Sequence, residues 1–231
     1  MSLAKSYFSK IKSEIENLLI VYPLTMLPGA LGKRLRYVYW KLRVKQMGKN
    51  VFIDIGVQFV NPEYMTIKDN VWIDKYVILL AGPPQEQRKG IRKENPSFDL
   101  QEGELYIGEN VHIAPHCVIQ AHGGVWLGNN LGIASGCRIY SLSNHYRNLS
   151  DPLDQTEYFF AVQTNLDLFM ISGAVVMCDA TALGLNSVIL PGVTIHCGSW
   201  VASMSLVTKD IPPGVVAGGN PAVVLKKKFQ H

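Results

Sequence analysis

The sequence predicts an all-β protein wound as a parallel β-helix, preceded by a helical segment. Three observations lead to this prediction. Aliphatic residues recur at every sixth position in three arrays, two of these arrays contain one eight-residue step, and apolar residues at helical spacing occur in the first 46 residues. A period of six fits neither an amphipathic helix nor one long strand, but it fits short strands joined by tight turns.

The longest array carries an aliphatic residue, once methionine, at seven successive sixth positions: Ile171, Met177, Leu183, Ile189, Ile195, Val201 and Val207. A second array upstream contains an eight-residue step before its fourth member: Ile107, Ile113, Ile119, Leu127, Ile133 and Ile139. The third array is shorter and has its eight-residue step before its third member: Ile53, Phe59, Ile67, Ile73 and Leu79.

Three short strands close a triangular coil of 18 residues, and successive coils stack at about 4.8 Å, the spacing of paired strands. The stack buries a column of aliphatic side chains that no single repeat could bury alone. Cys117 and Cys137 occupy the same position of their hexads, one coil and one two-residue insertion apart. We therefore expect the two thiols to pack together on one face without a redox role.

The composition excludes several classes of protein. A chain of 231 residues with 48% apolar and 17% charged residues can bury a core, which excludes intrinsic disorder. No run of about 18 apolar residues predicts a spanning helix, and the N-terminus lacks the pattern of a secretory signal. Four cysteines without a CxxC pair predict reduced thiols in a cytoplasmic protein. A net charge of +4 is too small to indicate nucleic-acid binding.

The predicted organisation has three parts: residues 1–46, the β-helix 47–214, and a basic C-terminal tail 215–231. Two excursions, 82–104 and 144–170, interrupt the hexads, and excursions of this length often line binding clefts. The amphipathic 1–46 segment has two interpretations. It either caps the open end of the coil, or rests its basic face on the inner surface of an anionic membrane.

Two segments near the C-terminus, GLNSVILPGV (184–193) and VTKDIPPG (207–214), together with VVAGGNPA (215–222), resemble the hexapeptide-repeat acyltransferases. The closest resemblance is to the branch that holds maltose, galactoside and polysaccharide O-acetyltransferases. The resemblance implies a left-handed winding, assembly as a homotrimer, and acetyl-CoA as the acyl donor.

The second excursion contains the candidate general base. Acyl transfer to a hydroxyl needs a proton acceptor, and a neutral imidazole supplies one at pH 7. The family places its catalytic histidine where a coil gives way to a long loop, and His145 stands at that place. Asn144 and Tyr158, in the same excursion, are candidate acceptor-binding residues. Asn144, Asp151 and Asp154 are alternatives for the group that orients the imidazole.

The resemblance also implies where the acyl-CoA thioester binds. Backbone N–H groups at the corner around Gly184 and Leu185 are the candidate oxyanion donors. The family's contacts to CoA match the following side chains of this sequence: Ser203, Thr208 and Lys209. Relatives often carry an arginine where Val223 stands, so Lys226, followed by two further lysines, is the candidate replacement for binding phosphate. A solvated basic terminus is the alternative.

A metal site is the rival interpretation, because the same fold carries carbonic anhydrases with three histidine ligands. His112, His116 and His122 are spaced by four and six residues, which does not reproduce that family's ligand spacing. We therefore expect surface histidines and no metal requirement.

The function predicted from the sequence is O-acetyl transfer from acetyl-CoA to a sugar or a surface-polysaccharide precursor. The first alternative is N-acetylation of an amino sugar, free or nucleotide-linked, because an amine acceptor uses the same base and thioester. The second is a non-catalytic scaffold, which would neither bind CoA nor depend on His145.

Overall fold

The computed structural model describes residues 15–84, 89–93, 100–155 and 169–228. Its strands are between two and six residues long, as expected for short segments joined by turns. In chain order they are β1 (Gln46–Met47), β2 (Phe52–Ile53), β3 (Gln58–Val60), β4 (Met65–Ile67), β5 (Trp72–Ile73), β6 (Ile78–Leu80), β7 (Lys89–Lys93), β8 (Leu105–Ile107), β9 (His112–Ile113), β10 (Val118–Gln120), β11 (Val125–Leu127), β12 (Gly132–Ile133), β13 (Arg138–Tyr140), β14 (Leu142–His145), β15 (Phe169–Gly173), β16 (Val175–Met177), β17 (Ala182–Leu183), β18 (Val188–Ile189), β19 (Thr194–Ile195), β20 (Trp200–Val201), β21 (Leu206–Val207), β22 (Val215–Gly219) and β23 (Ala222–Lys227).

The helices of the described residues are few and short. A π-helical turn (Asn17–Val21) leads into helix α1 (Tyr22–Met26), helix α2 (Gly29–Lys41) follows, and a 3₁₀ turn (Pro62–Tyr64) lies between β3 and β4. None of these helices is long and apolar enough to cross a membrane.

Most strands of the described ranges build three parallel sheets, which are the three sides of the coil. Sheet 1 has the order β1-β4-β8-β11-β16-β19, sheet 2 the order β2-β5-β9-β12-β17-β20-β22-β23, and sheet 3 the order β3-β6-β10-β13-β18-β21. The chain visits the sheets in the order 1, 2, 3, so each round is one coil. Paired residues are 20 apart in the early coils (Phe52 with Trp72) and 18 apart in the last (Val188 with Leu206).

The predicted aliphatic arrays fill the interior of this coil, where their members are buried from Ile53 to Val207. Ile171 is the exception. It lies in β15, outside the three sheets, and the fourth coil connects to the fifth at Val175 instead. The six-residue spacing from Ile171 to Met177 is therefore a coincidence of sequence.

Cys117 and Cys137 are both buried and lie in neighbouring coils, next to the paired residues Val118 and Arg138. A hydrogen bond with the Cys137 thiol, together with burial, raises the pKa of Cys117 well above the range of a free thiol. Both groups act as packed side chains.

The first coil is covered by helix α2. The indole of Trp40 stacks on the ring of Phe59, with centroids 4.5 Å apart, and both side chains are buried. Arg36, also buried, donates from Nε to the carbonyl oxygen of Ile53 at 2.8 Å. The helix thus satisfies backbone groups at the end of the coil that would otherwise be open.

The predicted basic tail 215–231 is paired backbone over most of its described length, while the side chains of Lys226 and Lys227 are exposed. Strand β22 extends sheet 2 beyond β20, and β23 folds back on it in the antiparallel direction. Lys228 Nζ also donates to the carbonyl oxygen of Gly198 at 3.0 Å. This segment pairs with the coil because apolar residues alternate in β22: Val215 and Ala217 are buried against the last coil.

The two predicted excursions leave the coil at the same corner, between sheet 3 and sheet 1. The first starts after β6 and the second after β13. They form a small fourth sheet, in which β15 pairs antiparallel with β14 and parallel with β7. The sequence predicted two separate loops, whereas in the structure the two excursions pair with each other. They do so across the connection between β10 and β11, which lies in the coil between those from which the excursions depart.

A ladder of asparagine side chains follows another corner, between sheets 1 and 2. Asn50, Asn70, Asn110 and Asn130 each adopt a left-handed backbone, with φ between 53° and 58°. Each side-chain amide donates to the next side-chain oxygen, at 3.1 to 3.2 Å. Asparagine tolerates this conformation better than residues without a local hydrogen bond. In the fifth coil the ladder position is Ala180, which has a φ of 58°.

We expect Ala180→Asn to raise the free energy of unfolding by about 1 kcal/mol, because asparagine relieves a left-handed alanine and can extend the ladder from Asn130. Ala180→Gly is the matched control, since it relieves the backbone strain without adding an amide. Urea denaturation measures both. A glycine variant as stable as the asparagine variant would show that the ladder itself contributes nothing.

Candidate active site

A cavity of about 940 Å³ lies where the fourth sheet covers the corner between sheets 3 and 1. Its floor is the coil and its roof is formed by β7, β14 and β15. Polar side chains reach it from both: Asn61, Arg92, Glu102, Gln120, His122 and Asn144. Apolar surface comes from Val60, Ile91, Leu142 and Met170. A cavity of this volume with a few convergent polar groups is suited to a small organic ligand.

His122 stands at the centre of this corner, in the connection between the third and fourth coils. Its Nδ1 lies 2.7 Å from the carbonyl oxygen of Gly82, at the start of the first excursion. A carbonyl oxygen only accepts hydrogen bonds, so Nδ1 carries the proton and Nε2 of the neutral ring keeps a lone pair. The main-chain N–H of Gly103 donates to the carbonyl oxygen of His122, which fixes the same residue from its backbone side.

Gln120 and Ser141 hold the start of β14 against the coil. Ser141 Oγ donates to the carbonyl oxygen of Gln120 at 2.7 Å, and the Leu142 N–H donates to Gln120 Oε1 at 3.0 Å. Gly123 packs so closely here that a Cβ would lie 2.2 Å from the carbonyl oxygen of Ser141. The roof of the cavity is therefore anchored to its floor.

The first excursion supplies charge to the opposite wall. Arg92 Nη1 lies 3.5 Å from Glu102 Oε1, and the hydroxyl of Ser172 donates to the same carboxylate oxygen at 3.4 Å. Both partners of the ion pair are partly exposed, so each can exchange its partner for a polar ligand at little cost.

His145 is the last residue of β14, one residue beyond the cavity-lining Asn144. Its Nδ1 lies 2.9 Å from the carbonyl oxygen of Arg147 and 3.1 Å from the main-chain nitrogen of the same residue. One nitrogen cannot donate and accept at once: in one tautomer Nδ1 accepts from the Arg147 N–H and the proton is on Nε2, and in the other Nδ1 donates to the carbonyl oxygen and Nε2 is the basic atom. The ring stacks on Tyr146, with centroids 4.7 Å apart.

The main chain of Arg147 is thus what orients His145 among the described residues. Two of the three predicted orienting groups are engaged elsewhere. Asp151 accepts from the N–H of Leu153 at 3.0 Å, and Asp154 accepts from Asn148 at 3.0 Å. Asn144 pairs with Met170 in the fourth sheet and lines the cavity.

The residues predicted to bind CoA occupy two different corners. Leu185 and Ser203 lie at the corner between sheets 2 and 3, in successive coils linked by a hydrogen bond from the N–H of Met204 to the Leu185 carbonyl oxygen. Thr208 and Lys209 follow β21 at the corner between sheets 3 and 1. Lys226 lies on β23 and pairs with Val216 at the end of sheet 2. One chain does not bring all of these residues together.

Comparison with known proteins identifies the family. No protein-family model matches the sequence. A putative acetyltransferase of Saccharomyces cerevisiae is 31% identical over 180 residues, which is 72% of this chain and 85% of the relative. The chain belongs to the hexapeptide-repeat acyltransferases. It is therefore an enzyme, and the scaffold alternative is wrong.

Two further similarities extend this result. The dTDP-4-amino-4,6-dideoxy-D-glucose acyltransferase of Escherichia coli is 27% identical to this acyltransferase over 80% of this chain and 82% of the relative. AntD, an N-acyltransferase from Bacillus cereus solved with dTDP and 3-hydroxybutyryl-CoA, superposes with a TM-score of 0.66 at 22% identity, over 84% of this chain and 88% of its own. The latter similarity supports the fold.

Two backbone N–H groups of this acyltransferase, at one corner of the coil, were predicted to stabilise an oxyanion. One of them is already engaged in a hydrogen bond of the coil. The Gly184 N–H donates to the carbonyl oxygen of Val201 at 2.8 Å and is part of the coil ladder. In the described part of the chain, the N–H of Leu185 donates to no backbone oxygen, and its side chain is half exposed. The Leu185 N–H is the better candidate for the oxyanion, which revises the prediction for Gly184. Tyr158 lies outside the described residues.

The three histidines weighed as metal ligands have separate environments. His112 Nε2 lies 2.9 Å from Asp74 Oδ2, the His116 ring stacks on Tyr76, and His122 contacts Gly82. The described residues contain no group of three or more side chains that could hold a metal ion.

His122 was predicted to be a surface residue, and its position in the cavity of this acyltransferase was not predicted. A signal was present in the eight-residue step from Ile119 to Leu127, since its two extra residues enlarge the connection that contains His122. The contribution of Arg92 and Glu102 could not be found in this way, because the pairing of the two excursions leaves no repeat in the sequence.

Proposed function

We propose that this acyltransferase moves an acyl group, with acetyl as the expected one, from a CoA thioester to the amine of an amino sugar carried on a nucleotide. The observation that carries the proposal is the similarity to the Escherichia coli acyltransferase, whose named substrate is such a sugar and which aligns along four-fifths of both chains. The AntD complex, with dTDP and an acyl-CoA, is consistent with it. The amine was the alternative in the sequence analysis, and the hydroxyl acceptor preferred there has less support.

The reaction needs one base and one oxyanion site. The amine nitrogen attacks the thioester carbonyl carbon, and the N–H proton passes to Nε2 of His145 as the C–N bond forms. The developing oxyanion accepts a hydrogen bond from the Leu185 N–H of another subunit. The C–S bond then breaks, and the CoA thiolate takes up the proton from His145.

We place the acceptor sugar in the cavity beneath the fourth sheet. Nε2 of His122 faces a ligand as a hydrogen-bond acceptor, while Arg92 and Asn144 provide donors, so that a sugar with several hydroxyls finds complementary partners. His145 follows Asn144 in β14 and is one residue from the cavity lining, so the proposal requires the acceptor amine to extend past the end of this strand.

We further propose a left-handed coil assembled as a homotrimer in the cytoplasm, with CoA in the groove between subunits. The separation of Leu185 and Ser203 from His145 and Lys209, on different corners of one chain, supports this assembly, because a neighbouring subunit can bring the two corners together. Light scattering in solution, which should give the mass of three chains, tests it.

The experiment follows thiol release from acetyl-CoA with dTDP-4-amino-4,6-dideoxyglucose, free amino sugars, and neutral sugars as acceptors. We expect the nucleotide-linked amine to react with the highest kcat/KM. His122→Asn should raise the KM for this acceptor about 10-fold with little change in kcat, because one hydrogen bond made equally in the ground and transition states is lost.

His116→Asn, at another corner of the same coil, is the matched control and should leave both constants unchanged. Faster thiol release with neutral sugars than with amino sugars would contradict the proposal and support O-acetyl transfer. A loss of kcat in His122→Asn would instead show that His122 is the base.

A further inference from the structure

Helix α2 has a second face that the coil does not use. The coil-facing side consists of Gly32, Arg36 and Trp40, which are all buried. On the opposite side a stripe of four large apolar residues faces away from the protein, at the spacing of one helix face: Leu31, Leu35, Val38 and Leu42. Their exposed fractions are 64%, 43%, 52% and 78%. A helix that only capped the coil would carry polar residues there.

The segment before α2 exposes further apolar surface. Leu18, Leu19, Tyr22 and Met26 are each more than 40% exposed, and they lie in the π-helical turn and α1. Exposed apolar side chains of a soluble protein are normally scattered, so this concentration within one short part of the chain marks an interaction surface.

The charge of the same region is of one sign. From residue 17 to residue 53 the sequence contains no Asp or Glu and seven basic residues: Lys33, Arg34, Arg36, Lys41, Arg43, Lys45 and Lys49. Of these, Arg36 is buried, and three are paired with carboxylates outside this stretch: Lys33 with Asp54, Arg43 with Glu16, and Lys45 with Glu104. Arg34 and Lys41 are exposed and lie roughly 70° around the helix from the apolar stripe. An apolar stripe flanked by cations is typical of a helix that lies in the headgroup region of an anionic bilayer.

A groove of about 500 Å³ lies between α2 and the first coil, on the side of the helix that carries Arg34. Lys33, Arg34 and Lys49 line it together with Tyr37 and Phe52. Its cations can pair with phosphate, and its aromatic rings can contact an acyl or glycerol portion, so the groove suits an anionic lipid headgroup.

We infer that the surface formed by residues 18–42 docks this acyltransferase on an anionic lipid bilayer, with the apolar stripe inserted between headgroups. A second copy of the chain is a poorer occupant, because two such faces would bring the exposed Arg34 and Lys41 of one copy against the same cations of the other. The acyltransferase would thus work at the membrane surface without spanning the bilayer. This inference is independent of the acceptor proposed above.

Co-sedimentation of the full chain with vesicles tests the inference. One set is phosphatidylcholine with an equal part of phosphatidylglycerol, and the other is phosphatidylcholine alone. We expect binding to the anionic vesicles that weakens as salt is raised, and little binding to the neutral ones. The double variant Leu35→Glu/Val38→Glu should bind at least about 10-fold more weakly. Arg34→Gln/Lys41→Gln should lose roughly 30-fold at low salt.

The matched control is Val224→Glu/Leu225→Glu, which places the same charges on exposed apolar residues of β23 and should bind like the wild type. Circular dichroism melting shows whether each variant is folded. The inference would be overturned if the wild-type protein did not bind anionic vesicles, or if the Leu35→Glu/Val38→Glu variant bound them as tightly as the wild type. If that variant instead reduces the mass of the assembly without vesicles, the stripe is an interface between copies and the inference is wrong.

Discussion

Replacing His145 by asparagine should lower kcat for acyl transfer by about 10²- to 10⁴-fold, with little change in the acceptor KM. An attacking amine must lose a proton as the C–N bond forms, and Nε2 of His145 is the atom proposed to take it. That atom is basic in the tautomer in which Nδ1 donates to the Arg147 carbonyl oxygen, which lies 2.9 Å away. Asparagine keeps a polar group near the same place but cannot accept a proton at neutral pH.

Two controls separate this role from a structural one. His116→Asn removes an imidazole from a different corner, where it stacks on Tyr76, and should retain wild-type kcat. Circular dichroism melting gives the second control, because a variant that loses only the proton acceptor should melt at the wild-type temperature while its kcat falls. Wild-type kcat in His145→Asn would remove this residue from the mechanism.

The coil was predictable from the sequence because its physics is local and repeated. One buried aliphatic residue per strand leaves a period that needs no knowledge of the rest of the chain, and the two-residue insertions match the step from Phe52 to Trp72. The same reasoning failed at Ile171, which keeps the period but lies in the fourth sheet. Spacing alone cannot distinguish a strand of the coil from one above it.

The candidate site was predictable only in part, because its pieces come from distant segments. His145 is the candidate base because the family that the sequence resembles places its catalytic histidine at the end of a coil, and this role stays a prediction. The cavity beside it depends on the pairing of Lys89–Lys93 with Phe169–Gly173, about 80 residues apart in sequence. The periodicity of the sequence gives no sign of a pairing between segments so far apart. His122 joins the site only because Gly82, 40 residues earlier, supplies a carbonyl oxygen at the same corner.

Replacing Arg36 by methionine should lower the free energy of unfolding by about 3 kcal/mol, since main-chain carbonyl oxygens that accept from the guanidinium lose this donor. The guanidinium is fully buried between helix α2 and the first coil. Its Nε donates to the carbonyl oxygen of Ile53 at 2.8 Å, and its Nη1 donates to those of Leu27 at 2.7 Å and Leu24 at 3.1 Å. Burial lowers the pKa of Arg36, an effect that the nearby Asp54 carboxylate opposes.

These bonds make Arg36 the link between three parts of the chain: the turn after α1, helix α2 and strand β2. Gly32 shows how closely they pack, because a Cβ there would lie 2.0 Å from the Leu27 carbonyl oxygen. Methionine fills a similar volume but donates nothing, so the carbonyl oxygens of Ile53 and Leu27 lose this donor, whereas that of Leu24 still accepts from the Leu27 N–H. Arg36→Lys should fall between, since an ammonium keeps the charge without the planar fork.

Arg34→Met is the matched control, because Arg34 is exposed on the same helix and should change the free energy of unfolding by about 0.5 kcal/mol or less. Urea denaturation at one fixed protein concentration measures all three variants, which keeps any coupling to assembly constant. If Arg36→Met is as stable as Arg34→Met, the helix is held by Trp40 and its apolar neighbours alone. Such a result would also mean that backbone carbonyls at the end of this coil reach water when the guanidinium is absent.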